Sequence, residues 1–316
     1  MTRLLPDVRD VTAYARVVRD EGVLAPGVAR IVERLGIRAR AERFAEGSRP
    51  VYALGSELVL KLFAPYDPDE AEREARFLDV LHGRLPIATP KLHAVGELDG
   101  WGYVLMGRLP GELLVTACPH IERRELRALL NRLGETLRAL HTLHDARLAP
   151  ERSDWPALVR ERKETTLALQ RTRGLSPQWL EQIPDFLDAE CPTIQAAEAE
   201  APLHTEVMRE HLFVEKRRGE WALAGLFDFE PSTVGAAEYE FSAVGVFVSC
   251  GDRELFRDVL VGYGYAENEL DHAFERRILA YALLHKYSNL SWYLDRVPPP
   301  ATTVHLDELS SHFFGV

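Results

Sequence analysis

The chain has 316 residues, 46% apolar and 28% charged, which is the composition of a folded globular protein and excludes disordered and fibrous classes. A formal charge of −11 argues against nucleic acid or an anionic membrane as partner. Cys118, Cys191 and Cys250 form neither a metal motif nor an even disulfide set, no apolar run reaches the roughly 18 residues of a membrane span, and MTRLLPDVRDVT is no secretion signal, so a cytoplasmic protein is expected.

Residues 1 to about 40 read as helical, with Val28, Ile31, Val32 and Leu35 three or four apart. RAERFAEGSRPVYALG and ELVLKLF then read as strands with turns at Gly47–Ser48 and Gly55–Ser56. DPDEAEREARFLDVLHG predicts a helix with Ala71, Ala75, Leu78 and Leu81 on one face, and WGYVLMGRL predicts a strand that ends at Pro110–Gly111. Beyond Gly111 the pattern is mainly helical. RELRALLNRLGETLRALHTLH carries one leucine stripe, and DWPALVRERKETTLALQRTRG and SPQWLEQIPDFLDAE follow as helices, the latter capped by Ser176 with Pro177 in its first turn.

Next comes a hairpin, LFV and WALAGLF joined by KRRGE, flanked by acids and histidines in HTEVMREH and DFEPSTVGAAEYE. The stretches YEFSAVGVFVSCG, DRELFRDVLVGYG and FERRILAYALLHKYSNLSWYLDRV read as further helices. Strand-rich sequence gives way to helix-rich sequence around Met106–Gly111, which predicts domains at 1–107 and 108–316.

Lys61 is the single lysine in the apolar strand VLKLF. A buried ammonium costs several kcal/mol unless paired, so Lys61 either meets an anion, with Glu74 on the next helix as a suitable counter-ion, or lies solvated on an edge strand. Gly47–Ser48 is either an ordinary turn or a place where backbone N–H groups approach a phosphate. Asp228 ends an apolar strand, where a carboxylate binds a metal or caps the next segment. Glu206 and His211 lie five apart in a polar loop, and each alone has a structural explanation. Glu230 and Glu240 read as structural or solvated.

Together these pieces resemble the aminoglycoside phosphotransferase family, a branch of the protein-kinase-like superfamily, over roughly residues 40–295. GSRPVYALGSELVLKLF is similar to its phosphate loop and lysine strand, and EREARFLDVL to the helix whose glutamate pairs with that lysine. GYVLMGRLPGELL resembles its hinge, and ALHTLH the end of a helix that closes in Leu-His. HTEVMREHLFV stands in the place of HGDLHPGNVLV, and GLFDFEPSTVGAAEYEFS in that of IDWEDAGIGDPAYDLA. DWPALVRERKETTLALQRTRGLSPQWL and the YALLHK helix look most like the hygromycin-phosphorylating branch.

The resemblance implies an α+β, two-lobed protein-kinase-like fold, with a small antiparallel-sheet N-terminal lobe and a mainly helical C-terminal lobe. It implies ATP or GTP as cofactor with Mg²⁺, and a small molecule as substrate. Lys61 would hold the α/β-phosphates and be positioned by Glu74, with the Gly47–Ser48 loop over the phosphates. Backbone groups near Met106 and Arg108 would bind the base. Glu206 would orient or accept the proton of the acceptor hydroxyl, and His211 and Asp228 would ligate the metal.

Three positions depart from the family pattern. Glu206 stands for the catalytic aspartate, moving the carboxylate by about 1.5 Å on a fixed backbone, where about 1 Å can cost about 10²-fold. Thr205 replaces the preceding glycine. His211 replaces the metal-binding asparagine and favours Mn²⁺ beside Mg²⁺. The leading expectation is therefore a kinase of a small-molecule hydroxyl, most simply an aminoglycoside-like antibiotic, with Glu206, Glu210, Glu230, Glu238 and Glu240 suiting a cationic sugar. The alternatives are a nucleotide-binding protein that transfers nothing and a kinase of another metabolite, such as a choline-like amine, a homoserine-like amino acid or a natural-product intermediate.

Overall fold

A computed structural model describes residues 3–316; Met1 and Thr2, at the start of the expected N-terminal helical stretch, lie outside them. The chain folds into two compact units. One comprises the chain up to Pro110 together with Gly225–Pro231, and the other comprises Gly111–Ala224 with Ser232–Val316. The α+β class expected from sequence is the one observed.

In the first unit, helices α1 (Val11–Val17) and α2 (Glu21–Arg34) precede strands β1 (Ala41–Arg43), β2 (Val51–Leu54) and β3 (Leu58–Phe63). Helix α3 (Asp69–Leu81) follows, then β4 (Leu92–Leu98) and β5 (Trp101–Gly107). The helical reading of the N-terminus was too long, because residues 3–10 are irregular. Asp99, in the turn between β4 and β5, accepts the backbone N–H groups of Leu4 (2.6 Å) and Leu5 (3.1 Å), which a helix would otherwise orient along its axis.

The five strands form an antiparallel sheet in the order β1-β2-β3-β5-β4. A strand sends alternate side chains to opposite faces. Leu60 and Leu62 of β3 therefore join Leu24, Val28 and Ile31 of α2 in one core, while Lys61 projects from the other face and meets Glu74 of α3. Gly225–Pro231 docks on that unit through backbone and ring contacts. Leu226 N–H donates to Ala88 O (3.0 Å), and the buried Phe229 ring stacks on Phe77 at 6.4 Å.

The second unit contains β6 (Glu112–Leu113), α4 (Leu114–Ala117), α5 (Arg123–His141), α6 (Trp155–Thr172), α7 (Pro177–Leu180), α8 (Ile183–Gln195) and β7 (Ala201–Leu203). Strands β8 (Leu212–Arg217) and β9 (Glu220–Leu226) form the expected hairpin, closed by Arg218 and Gly219 at φ 55° and 90°, as a tight hairpin turn requires. Strand β10 (Thr233–Gly235) pairs antiparallel with β7. Then come α9 (Glu240–Ala243), a π-helical turn (Val244–Ser249), α10 (Arg253–Tyr263), α11 (His272–Leu284), α12 (Leu290–Arg296) and α13 (Leu306–Phe314).

Helices α5 and α10 pack closely because Gly134 and Gly262 sit at their contact. A Cβ at Gly134 would fall 2.0 Å from Val259 O, and one at Gly262 would fall 2.0 Å from Asn131 O. Two helical readings change. The stretch after Ser176 breaks into α7 and α8 because Pro184 takes a first-turn position of its own helix, and Ser176 occupies the N-cap without a side-chain capping bond. The last long helix breaks between Leu284 and Leu290, where Asn289 caps α12. Among the described residues no helix is long and apolar enough to cross a membrane.

Candidate active site

In the first unit Lys61 is the centre of a buried ion network. Its side chain is 6% exposed, its ammonium lies 3.0 Å from Glu74 Oε2 and 2.5 Å from Glu230 Oε2, and it also donates to Asp228. Burial works to strip the proton, but Asp228, Glu230 and Glu74 outweigh it and hold the ammonium well above its usual range. Glu74 is raised as well, which for a carboxylate favours the neutral form. Burial raises it above the usual range against the pull of Lys61, and the charges on Asp228 and Glu230 add to the rise.

Arg49 extends the network by pairing with Glu70 and, through Nε, with Glu230 Oε1 at 3.2 Å. Arg73 donates to the Glu230 carbonyl at 3.2 Å. Asp228 reaches Lys61 across 167 positions because Phe229 is buried against Phe77, which turns the flanking acids to one side. Its φ of 77° lies in the left-handed region, a strained conformation for a non-glycine residue.

The other positions expected in this unit make no contact with Lys61 among those described above. Gly47, at φ 110°, and Ser48 form the exposed turn before Arg49, with Ser48 O accepting from Tyr14 Oη at 2.8 Å. Met106 is buried in the sheet between β3 and β4. Arg108 N–H already donates to Glu57 O, and Gly107 N–H to Lys91 O, both at 2.8 Å, so these two donors are engaged within the unit.

In the second unit the loop from His204 to His211 is held at successive backbone groups. Glu240, fully buried, accepts from His204 N–H (2.7 Å) and Thr205 N–H (2.8 Å) and lies 3.4 Å from His141 Nε2. Burial opposes its charge, but His141 and the His204 amide prevail and hold the carboxyl below the usual glutamate range. Thr205 adopts φ 70°, the conformation that glycine takes at little cost. Its carbonyl accepts from His285 Nε2 at 3.1 Å.

Glu206 N–H donates to His204 Nδ1 (3.3 Å), and the Glu206 carbonyl accepts from His211 Nδ1 (2.7 Å). Because a carbonyl oxygen only accepts, Nδ1 carries the hydrogen in the last bond. A metal-ligating histidine is oriented in this way when its other nitrogen donates to a backbone carbonyl. Taken singly, Asp228 and Glu230 of the first unit offer hard carboxylate oxygens and His211 of the second an imidazole nitrogen, donor types that divalent ions accept. Among the described residues no group of three or more His, Cys, Asp or Glu side chains makes a self-contained metal cluster.

A profile of the APH phosphotransferase enzyme family matches residues 40–277. The chain belongs to that family. Among curated proteins none matches it. Similar solved structures include an aminoglycoside 2′-phosphotransferase-IIIa in complex with GDP, at TM-score 0.68 and 15% identity, covering 86% of this chain and 96% of that one. A ternary complex of APH(2″)-IIa with streptomycin and ATP has TM-score 0.60 and 16% identity, covering 85% and 90%. The macrolide 2′-phosphotransferase MphH from Brachybacterium faecium has TM-score 0.56 and 17% identity, covering 88% and 99%.

Several residues of this phosphotransferase's network escaped the sequence reading. Arg49 adjoins the Gly47–Ser48 turn, and Glu70 lies four residues before Glu74 on α3, a spacing that shares a helix face. Glu230 is two residues after Asp228 with an apolar ring between, a same-side signal in extended chain. His285 ends the YALLHK helix and is wholly buried against the loop. Its Nδ1 accepts from Tyr287 N–H (3.2 Å) while Nε2–H donates to Thr205 O, so the neutral ring satisfies both contacts.

Burial first, set against the Thr205 bond, lowers the His285 pKa to about 4. A depressed histidine stabilises the fold above its unfolded value of 6.5, and that stability is lost as pH falls through 4. The shift corresponds to about 3 kcal/mol. Urea titrations from pH 7 to pH 4 should therefore show a steeper loss of stability for the native chain than for His285→Phe. Parallel curves would mean that His285 is not held neutral.

Proposed function

We propose that this phosphotransferase moves the γ-phosphoryl group of ATP or GTP onto a hydroxyl of a small molecule, in the cytoplasm where those nucleotides are available. The observation that carries the reading is the buried Lys61 ammonium joined at once to Glu74 on α3 and to Asp228. Phosphoryl transfer needs positioned cations and little covalent chemistry from the protein. In this reading Lys61 orients the α/β-phosphates, Glu74 and Glu230 fix the ammonium, and the turn at Gly47 and Ser48 covers the phosphates, with the base bound by backbone near Met106 and Arg108.

Asp228, with His211, would hold Mg²⁺, or Mn²⁺ given the imidazole donor. The ion, when bound, neutralises charge on the β- and γ-phosphates. Glu206 takes the proton as the acceptor oxygen bonds to the γ-phosphorus and the nucleoside diphosphate leaves. The first unit is thus assigned to the nucleotide and the second to the acceptor. An aminoglycoside-like antibiotic is the first acceptor class to test, with hygromycin in the panel, because the solved relatives include a complex with streptomycin.

The test is ³²P transfer from labelled ATP across that panel, alongside calorimetric titration of ATP. Asp228→Asn is expected to keep the circular dichroism spectrum and to lose transfer by roughly a hundredfold or more. Full activity in that variant would sink the metal assignment. Tight nucleotide binding without transfer to any acceptor would favour the competing reading of a nucleotide-binding protein that has lost the reaction, for which the substitutions at Thr205, Glu206 and His211 give the motive.

A further inference from the structure

The second unit carries an aromatic surface tied to the same loop as Glu206. Trp292 on α12 is 44% exposed, whereas its helix neighbours Leu290 and Tyr293 point inward. An amphipathic helix usually places a polar residue at such a position. Phe247, from the π-helical turn, packs against the Trp292 indole at 5.1 Å and against Tyr293 at 5.5 Å. Arg296 lies over both rings, 5.3 Å from Phe247 and 5.8 Å from Trp292. A π-turn inside a helical stretch frequently belongs to a functional site.

A single exposed tryptophan is unremarkable on a protein surface; its anchorage here is specific. Arg296 Nη2 sits 3.5 Å from Glu210 Oε1, in the loop between Glu206 and His211. Arg209 of that loop donates through Nε to Val248 O, the residue after Phe247, at 2.8 Å. The Glu206 charge also contributes to the rise of the Tyr293 phenol, which burial chiefly drives to about 12. The aromatic surface is therefore continuous with the loop that carries the proposed base.

Four of the five acids that suited a cationic sugar in the sequence meet partners inside the protein, and the fifth, Glu206, is the proposed base. Glu210 faces Arg296, Glu238 pairs with Arg277 through two bonds at 3.0 and 3.1 Å, Glu240 serves His141 and two amides, and Glu230 serves Lys61 and Arg49. Those four are buried or paired, and beside the loop the helix turns an indole to solvent, with the exposed Asp295 one turn further on.

Resting on the phosphotransfer reading, we infer that Trp292, backed by Phe247 and Tyr293, is the platform on which the acceptor's ring stacks. The acceptor is accordingly a hydroxylated glycoside of low positive charge with an apolar ring face, not a polycation. A ring face of that kind gains from contact with indole and needs no ion pair.

The experiment uses the full chain and two probes, a macrolide glycoside and streptomycin, with binding by calorimetry and transfer by ³²P label. The macrolide should bind with little dependence on salt. Trp292→Ala should weaken it on the order of thirtyfold, the equivalent of burying roughly 80 Å² of indole. The loss should fall on KM more than on kcat, Trp292→Phe should restore most of it, and nucleotide affinity reports that the variants fold. Macrolide binding that depends on Trp292 without any phosphate transfer would uphold the platform and refute the phosphotransfer reading. Streptomycin binding that is steeply salt-dependent and indifferent to Trp292→Ala, or no macrolide binding at all, would overturn the inference.

Discussion

Glu240→Gln is expected to destabilise the second unit by about 3–5 kcal/mol and to lower phosphoryl transfer by roughly a hundredfold. The carboxylate is wholly buried and both of its oxygens are engaged, since it accepts the backbone N–H groups of His204 and Thr205 and faces His141. An amide of the same shape presents a donor where one of those N–H groups also donates, and a buried donor left unmade costs its desolvation. It also leaves His141 without the charge that it faces. The kinetic loss has a different origin. Thr205 holds φ 70° against the preference of a β-branched residue, and the amide bonds to Glu240 help to keep it there. Released, the residue relaxes and carries Glu206 with it. Urea unfolding and a transfer assay on the same preparation check both halves. Wild-type stability with wild-type rate would mean that the carboxylate merely fills space.

Much of the fold was legible because it depends on local periodicity. The alternation in LVLKLF, the single lysine within it and the amphipathic helix that follows are short-range signals, and Lys61 and Glu74 are indeed joined in an ion pair. The hairpin was legible from Gly219 in its turn. The less legible parts are those decided by distant packing. Arg49, Glu70 and Glu230 meet only because Phe229 docks on Phe77, and nothing near Arg49 in the sequence announces Glu230. Glu240 looked like one acid among many, since its partners His141 and His204 come from a distant helix and from the loop. AVGVFVS is apolar on every side, so it carries no period by which a π-turn could be told from an α-helix. Pro184 was readable as a break and was hidden by an apolar pattern that continues past it.

Glu206→Asp should lower transfer by about a hundredfold, and Glu206→Gln should remove most of what remains, if Glu206 is the base. The shorter acid is the residue of the family pattern, which on its own argues for a gain. The anchorage of the loop argues otherwise. The carbonyl of Thr205 is gripped by His285, the amide of Glu206 by His204 and its carbonyl by His211, so the backbone on both sides of the side chain is fixed. Removing a methylene then withdraws the carboxylate by about 1.5 Å with no compensating shift, and a displacement of that order is enough to lose alignment with the acceptor oxygen. Thr205→Gly offers an independent check. The glycine fits φ 70° without the strain that threonine bears, so it should leave the rate near that of the native chain while changing stability by about 1 kcal/mol at most. A rate that rises in Glu206→Asp, and rises further when Thr205→Gly is added, would mean that the loop is an ordinary aspartate loop in which glutamate overreaches. A fall in the first variant that the second does not repair would mean that the surrounding histidines and Glu240 have been built around the longer acid.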